Sequence, residues 1–347
     1  MSYSDWRSRF SSLHRSRSGR VFILSLLSLA LFSLGFYCGI RFLGGQTEKF
    51  GPVQVREQGR YAFINPLLEC EVQDARLDHI YIPFESKLKQ SIDDLNREKY
   101  QNREFAMYFR DLNNGPWFGI NSSAAFTPAS LMKVPLMIAY YKQAEGNPAL
   151  LNKQVVLQDG DPSFYQNITS GAKLEVGKKY SIEEVINFMI INSDNGAMMT
   201  LLENIEQGQL DRVYQDLGIS IPNVRTPEDF MSVKEYASFF RILYNAAYLN
   251  EEYSEKALNL LSQTSFVDGL AAGIPFNLKI SHKFGERRNP ALGTSSNQLH
   301  ECGIIYFPGH PYLLCVMTRG SDFNQLASFI ADTSKLVYET MQDTYRE

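Results

Sequence analysis

From residue 84 onward the apolar positions of this chain fall into repeating patterns. Leu88, Ile92 and Leu95 recur at helical spacing with charges between them, which predicts an amphipathic helix. "EFAMYFRDL" and "PWFGIN" are strand-like runs joined by "NNG", a strong hairpin signal. A helical block follows, from about Pro128 to about Ser262. Its clearest element is "SIEEVINFMI": Ser181 and Glu184 have the spacing of a capping box, and Ile182, Val185, Ile186, Met189 and Ile190 make one apolar stripe. Strand patterns return in "FNLKISHKFG", "HECGIIYF" and "YLLCVMTR", the last two separated by the turn "PGHP". The chain closes with a helix from Asp322 whose Phe323, Leu326, Ile330, Val337 and Met341 line one face.

The order is therefore helix, two strands, a helical block, three strands, helix. Strands joined mainly by hairpins predict a five-stranded antiparallel sheet, and the whole an α+β fold. The helical block falls between the second and third strands, as an insertion would. Terminal helices are expected on one face of the sheet and the block on the other.

Upstream of residue 84 the pattern changes. "VFILSLLSLALFSLGFYCGI", Val21 to Ile40, carries no charge and is bracketed by Arg20 and Arg41. Twenty helical residues span about 30 Å, the thickness of a bilayer core. Arg7, Arg9, Arg15, Arg17 and Arg20 precede the run, so the positive-inside rule leaves the N-terminus in the cytoplasm. A cleaved signal peptide has a shorter apolar region, about 7–15 residues, and ends in a small-residue site. This run is longer and ends in "GFYCG", which favours an uncleaved anchor; bulky Tyr37 argues against lipid modification of Cys38. The expected organisation is a basic cytoplasmic tail (1–20), a single-pass membrane anchor (21–43), a linker and docking segment (44–83) and an extracytoplasmic domain (84–347). Within the linker, "YAFINPLLECEVQ" is apolar enough to dock onto the body.

Charge fits that division. Residues 1–44 carry +5, and the rest of the 347-residue chain carries −9, for a total of −4. An acidic body argues against nucleic acid as the partner. The apolar share of 44% and charged share of 21% are those of an ordinary globular protein, which places the exceptional composition in the N-terminal segment alone. Of four cysteines, Cys70, Cys302 and Cys315 lie beyond the apolar run, so at most one internal disulfide is possible. Cys302 and Cys315 flank the "PGHP" turn; a disulfide across the hairpin and two small buried residues are both open readings. The five His show no close metal-ligand spacing and there is no phosphate-binding glycine loop, so no metal or other cofactor is expected.

Three short stretches carry candidate chemistry. "PASLMKVP" places Ser130 and Lys133 three positions apart, on one helical face with Cβ atoms about 5–6 Å apart. A hydroxyl beside an amine can be a nucleophile and its base, or simply the polar side of a helix. "INSDNGAMM" interrupts two apolar helices with Ser193, Asp194 and Asn195, residues that bond locally to backbone. "SHKFGERR" sets Lys283 at a strand end with Gly285 two places on. An edge lysine and a bulge glycine are the ordinary explanations.

Together, in the order S-x-x-K, S-D-N, K-x-G, these stretches are far more specific than any one of them. From about Phe84 to its end the chain resembles the penicillin-recognising serine hydrolases, most closely the class A β-lactamases, whose signature they form. "FTPASLMKVPLMIAYYK" and "YSIEEVINFMIINSDNGAMMTLL" look like that family's nucleophile helix and S-D-N helix. "VRTPEDFMSVKEYASFF" resembles the helix after its omega loop. The resemblance implies a β-lactamase/D,D-peptidase-like fold and an acyl-enzyme formed on Ser130. Lys133 would be the base, Ser193 a proton relay, and Lys283 a second cation that also attracts the substrate carboxylate. Asn195 would hold the substrate amide, and the backbone N–H groups of Ser130 and Glu286 would form the oxyanion hole beside Gly285.

Two departures stand out. "EQGQLDRVYQDLGISIPNV" is short and lacks the family's E-x-x-L-N pattern, so no glutamate is in place to activate the deacylating water. Phe284 replaces a Thr or Ser whose hydroxyl would bond the substrate carboxylate, a role left to Arg287 or Arg288. The expected function is a membrane-anchored extracytoplasmic serine hydrolase acting on β-lactams or related cell-wall peptides. The alternatives are a D-alanyl-D-alanine peptidase acting on peptidoglycan, or a cell-wall-binding protein without turnover.

Overall fold

Alternation along the central strands builds the molecule in layers. The computed structural model describes residues 21, 24–25, 28–34, 53–56, 59–71, 82–113, 115–159, 168, 174–222, 226–288 and 297–345. Residues Gly51–Glu347 form one compact unit, and Met1–Phe50 a separate one. In the latter, the described residues 21, 24–25 and 28–34 are helical. The rest of the expected anchor lies outside the described residues, and among those described no helix is long and apolar enough to cross a membrane.

In the larger unit, helix α1 (Glu85–Leu95) is followed by strands β1 (Glu104–Asp111) and β2 (Trp117–Ile120). Helices α2 (Lys133–Gly146), α3 (Ile182–Ile191), α4 (Asn195–Asn204), α5 (Gln209–Asp216), α6 (Val233–Tyr244) and α7 (Glu251–Leu261) come next. Strands β3 (Ile280–Arg287), β4 (Asn297–Ile305) and β5 (Tyr312–Gly320) and helix α8 (Phe323–Thr344) complete it. The five strands form one sheet, antiparallel throughout, in the order β2-β1-β5-β4-β3. The first and last helices join the face that carries Phe105, Met107 and Phe109, and the helical block packs on the face that carries Ala106 and Tyr108. Successive side chains of a strand point to opposite faces, so one apolar strand serves both cores.

Local signals fix the helix ends. Ser181 and Glu184 make the expected reciprocal capping box, and Ser232 with Glu235 makes a second at the start of α6. The block is not purely helical: Gln154–Val156 pairs with Lys179–Ser181, and Ala125–Phe126 with Met231–Ser232. These two-residue to three-residue ribbons are too short to show a period in sequence; the second ties the entrance of the block to α6. Cys302 and Cys315 are opposite one another in the β4–β5 register and form a disulfide.

Segment 59–67 is strapped onto α6 and α7. The Glu255 carboxylate accepts the backbone N–H groups of Ala62, Phe63 and Ile64 at 2.9–3.0 Å. Arg56 donates to Asn65 O and Asn245 Oδ1, Tyr61 bonds Glu251, and Ile64 enters the core of the helical block. Bonds to a charged acceptor are worth about 1.5–3 kcal/mol each when shielded and less at a partly exposed site. Glu255→Ala is therefore expected to lower thermal stability by a few degrees, equivalent to about 1–2 kcal/mol. It should also open residues 56–67 to limited proteolysis. Cleavage in that segment no faster than in the wild type would show that the carboxylate does not hold the strap.

Candidate active site

The turn Ala129–Met132 is a short 3₁₀ helix at the head of α2. In that geometry positions i and i+3 nearly eclipse, which brings Lys133 over Ser130. Lys133 Nζ lies 2.9 Å from Ser130 Oγ. Ala129 holds a left-handed backbone with φ of 50°, an unusual state for a residue with a Cβ. Edge strand β3 runs directly against this turn. A Cβ on Gly285 would meet Pro128 O at 2.7 Å and Leu131 N at 3.0 Å, so only glycine permits the approach.

The S-D-N turn closes the site from α3 and α4. Asp194 caps α4 by accepting the Ala197 N–H at 2.7 Å. Ser193, fully buried with φ of 55°, and Asn195 turn toward Lys133. Lys133 Nζ is 2.5 Å from Ser193 O, 2.8 Å from Asn195 Oδ1 and 3.2 Å from Ser193 Oγ. Lys283 Nζ approaches the same Ser193 hydroxyl at 2.9 Å and donates to Phe284 O. Ser130, Lys133, Ser193, Asn195 and Lys283 thus form one hydrogen-bonded constellation, although they come from three separated stretches of chain.

Electrostatics set the protonation. Both lysines are completely buried. Burial pushes Lys133 down to about 7, opposed by the charges of Asp194 and Glu286. Lys283 is held well below the ordinary lysine value, first by burial and then by Lys133. The Phe284 ring lies 4.1 Å from Lys283 Nζ, a contact that favours the charged amine and so opposes the depression, and it packs on Phe266 at 4.5 Å between centroids. The hydrogen-bond inventory shows what each form of Lys133 can do. Ser193 O and Asn195 Oδ1 can only accept, so each takes an N–H of Lys133. A charged amine places its third N–H on Ser130 Oγ, whereas a neutral one has a lone pair to offer the Ser130 hydroxyl there.

The constellation opens into a cleft of about 360 Å³. One wall, made of Met132, Met198, Pro222, Pro227 and Phe230, is apolar. Glu286 and Arg287 lie on the β3 side. Glu286, mostly buried, accepts the Ile168 N–H at 2.8 Å, and Arg287 pairs with Glu228 at 3.0 Å. Arg287 Nε is buried without a hydrogen-bond partner. Among the described residues no group of three or more His, Cys, Asp or Glu is placed to hold a metal ion.

Residues 87–341 match the model of the beta-lactamase enzyme family. The chain belongs to that family. No curated protein sequence matches it significantly. Solved structures do: PBP-A, and a single-residue mutant of PBP-A described as an acyl-enzyme complex with penicillin G, each share 20% identity with this chain. In both cases the likeness covers 74% of this chain and 97% of theirs, with a TM-score of 0.62. A representative of class A β-lactamase from Bacteroides cellulosilyticus is 20% identical over 74% of this chain and 98% of its own, with a TM-score of 0.63. At these identities the likeness is one of fold.

Two polar clusters around the β-lactamase-family constellation escaped the sequence reading. His282 and Glu301 form a buried pair, 2.5 Å apart, on β3 and β4, with Glu301 also accepting the Leu270 N–H. Thr127, three residues before Ser130, is surrounded by Asp229, Gln298 and His300. The available signal was "NQLHE" (297–301), a polar run inside a strand whose every residue is buried.

A base with its pKa near 7 dictates a pH profile. In the role of base Lys133 would be competent only when neutral, so acylation of Ser130 would then be expected to rise about tenfold per pH unit below 7 and to level off above it. The measurement is the labelling rate of Ser130 by a fluorescent penicillin between pH 5 and 9. A rate that is flat across that range would exclude Lys133 as the base.

Proposed function

We propose that the chain is a membrane-anchored, extracytoplasmic serine hydrolase that forms an acyl-enzyme on Ser130 with β-lactams or related cell-wall peptides. The observation that carries this reading is the fully buried Lys133 amine, 2.9 Å from the Ser130 hydroxyl and pushed down by burial to about 7. An unactivated serine is a weak nucleophile and needs such a base. Ser130 Oγ attacks the carbonyl carbon as its proton passes to Lys133 Nζ. The oxyanion is received by the backbone N–H groups of Ser130 and Glu286, a role that rests on family likeness. As the C–N bond breaks, the leaving nitrogen takes a proton from Ser193 Oγ, which is replenished from Lys133. Asn195 orients Lys133 and the substrate amide. Lys283 holds the Ser193 hydroxyl. Arg287, which lines the cleft and pairs with Glu228, would supply the cation for the substrate carboxylate in place of the hydroxyl that Phe284 lacks.

Deacylation has less support in the cleft. The wall made by Met132, Met198, Pro222 and Phe230 offers only apolar side chains, none of which can serve as a base. The two carboxylates of the cleft face other partners: Glu286 takes the Ile168 N–H, and Glu228 is aimed at Arg287. General-base assistance to water contributes about 10²–10⁴-fold. With no such base evident among the described residues, the adduct is expected to be long-lived, unlike that of a working β-lactamase. A D-alanyl-D-alanine peptidase shares the acylation step, and Arg287 suits a peptide C-terminus as well as a β-lactam carboxylate.

Time-resolved mass spectrometry of the full-length protein with penicillin tests this reading. The Ser130 adduct is expected to persist for many minutes after free penicillin is removed, and Ser130→Ala should form none. Turnover at about 10 per second or faster, a common enzyme rate, would reveal an unidentified water-activating group. An adduct that survives Ser130→Ala would place the nucleophile on another residue.

The tether is tested separately. The uncharged Val21–Ile40 run and its five preceding arginines support a cytoplasmic N-terminus with the hydrolase body outside. Protease added to intact cells, or to spheroplasts where an outer membrane is present, should digest the body. Recovery from the medium of a protein lacking its first forty residues would instead indicate cleavage.

A further inference from the structure

We infer that His300, Asp229 and Gln298 are positioning residues for the nucleophile: they clamp Thr127 and thereby hold the strained turn that aims Ser130 at Lys133. The inference rests on the reading of Ser130 as nucleophile and goes beyond it, since none of these three residues belongs to the S-x-x-K, S-D-N or K-x-G motif.

All three polar groups of Thr127 are taken, each by a different residue. Its N–H donates to Gln298 Oε1 at 3.0 Å, and its hydroxyl donates to Asp229 Oδ1 at 2.8 Å. Its carbonyl lies 3.0 Å from His300 Nε2. The direction of this last bond follows from the other ring nitrogen. His300 Nδ1 receives the Thr318 backbone N–H at 3.2 Å, so it is the bare nitrogen and Nε2 carries the hydrogen. Burial keeps the ring neutral, with a pKa of about 4. A neutral, single-tautomer imidazole is therefore fixed as a donor to Thr127 O. The clamp is itself supported: Asp229 also accepts from Gln298 Nε2 at 2.9 Å and from Arg319 at 2.8 Å.

The position matters because of what lies between Thr127 and Ser130. Ala129 sits at φ of 50°, a state that costs about 1–3 kcal/mol and persists only where its surroundings over-determine it. On the far side the turn is held by Lys133 and the close passage of Gly285. On the near side the Thr127 clamp fixes both the backbone N–H and C=O two residues upstream of Ala129. Release of that side lets Ala129 relax and swings Ser130 Oγ away from Lys133 Nζ.

Three variants of the full-length protein separate positioning from bulk stability. His300→Leu removes the donor, His300→Gln can restore an N–H near the same place, and Asp229→Ala releases the Thr127 hydroxyl from a half-exposed position that should leave folding intact. The readouts are the first-order acylation rate and the non-covalent dissociation constant for penicillin, per folded molecule. Labelling by a fluorophosphonate, which reports serine nucleophilicity without needing a β-lactam site, is measured in parallel. His300→Leu and Asp229→Ala are expected to slow both acylation and phosphonylation by about tenfold to a hundredfold, the range for small misplacements of reacting groups. The dissociation constant should stay within about threefold, and His300→Gln should recover most of the rate. If His300→Leu fails to fold, Asp229→Ala and His300→Gln decide the matter. Wild-type rates in Asp229→Ala, or a His300→Gln variant that folds normally yet shows the full loss of rate, would overturn the inference. A wild type that reacts with the phosphonate but not with penicillin would sink the β-lactam reading alone. A wild type inert to both would sink the two together.

Discussion

Two lysine ammonium groups do not fit, fully charged, around one buried serine hydroxyl. Desolvation of a single ion in a protein interior carries a penalty of several kcal/mol, and a like charge nearby adds to it. Lys133 and Lys283 both reach Ser193 Oγ and are both completely buried. The site resolves the conflict by giving up charge: both lysines are depressed, and Lys133 reaches about 7. What would be a stability defect elsewhere becomes the property that makes an amine a base near neutral pH. The surrounding structure supplies what this requires. The helical block and the sheet face close over the pair, and Asp194 and Glu286 keep the depression of Lys133 from going further.

The same arrangement explains why the strand edge and the nucleophile turn must be so close. Lys283 can reach Ser193 only if β3 passes against the turn Ala129–Met132, and Gly285 is the residue that allows it. The turn in turn carries a left-handed Ala129, held from both sides. Strained backbone at Ala129 and Ser193 therefore brackets the pair of atoms, Ser130 Oγ and Lys133 Nζ, whose separation would set the reactivity proposed for the site.

Much of this was legible in the sequence, and the exceptions share a cause. Ser130, Lys133, Ser193, Asn195 and Lys283 could be read because each sits in a short motif with fixed spacing. Ser181 with Glu184 and the stripes of α1, α3 and α8 were readable because capping and burial are local. Contacts that join distant parts were not. Thr127 meets Gln298 across 171 positions and His300 across 173, and nothing within either stretch names the other. The polar run 297–301 announces that β4 buries hydrogen-bonding groups, but not which ones they satisfy. Lys283 shows the same limit from another side: an isolated lysine near a strand end looks like an exposed cation, and only the packing of Phe284 and Phe266 reveals a dry one.

The strap has a mechanical consequence. A pull on the chain from its N-terminal side reaches segment 59–67 before it reaches α1 or β1. Load therefore passes first into α6 and α7, through the Glu255 carboxylate, the Arg56 bonds to Asn65 and Asn245, and the backbone bonds of Asn65 and Leu67 to Tyr244 and Asn245. These bonds would have to rupture before tension ran along the chain toward α1 and β1. The strap would work as a strain relief, like the clamp on a cable that spares the joint behind it, by passing a pull into the helices before it could run along the chain into α1 and β1.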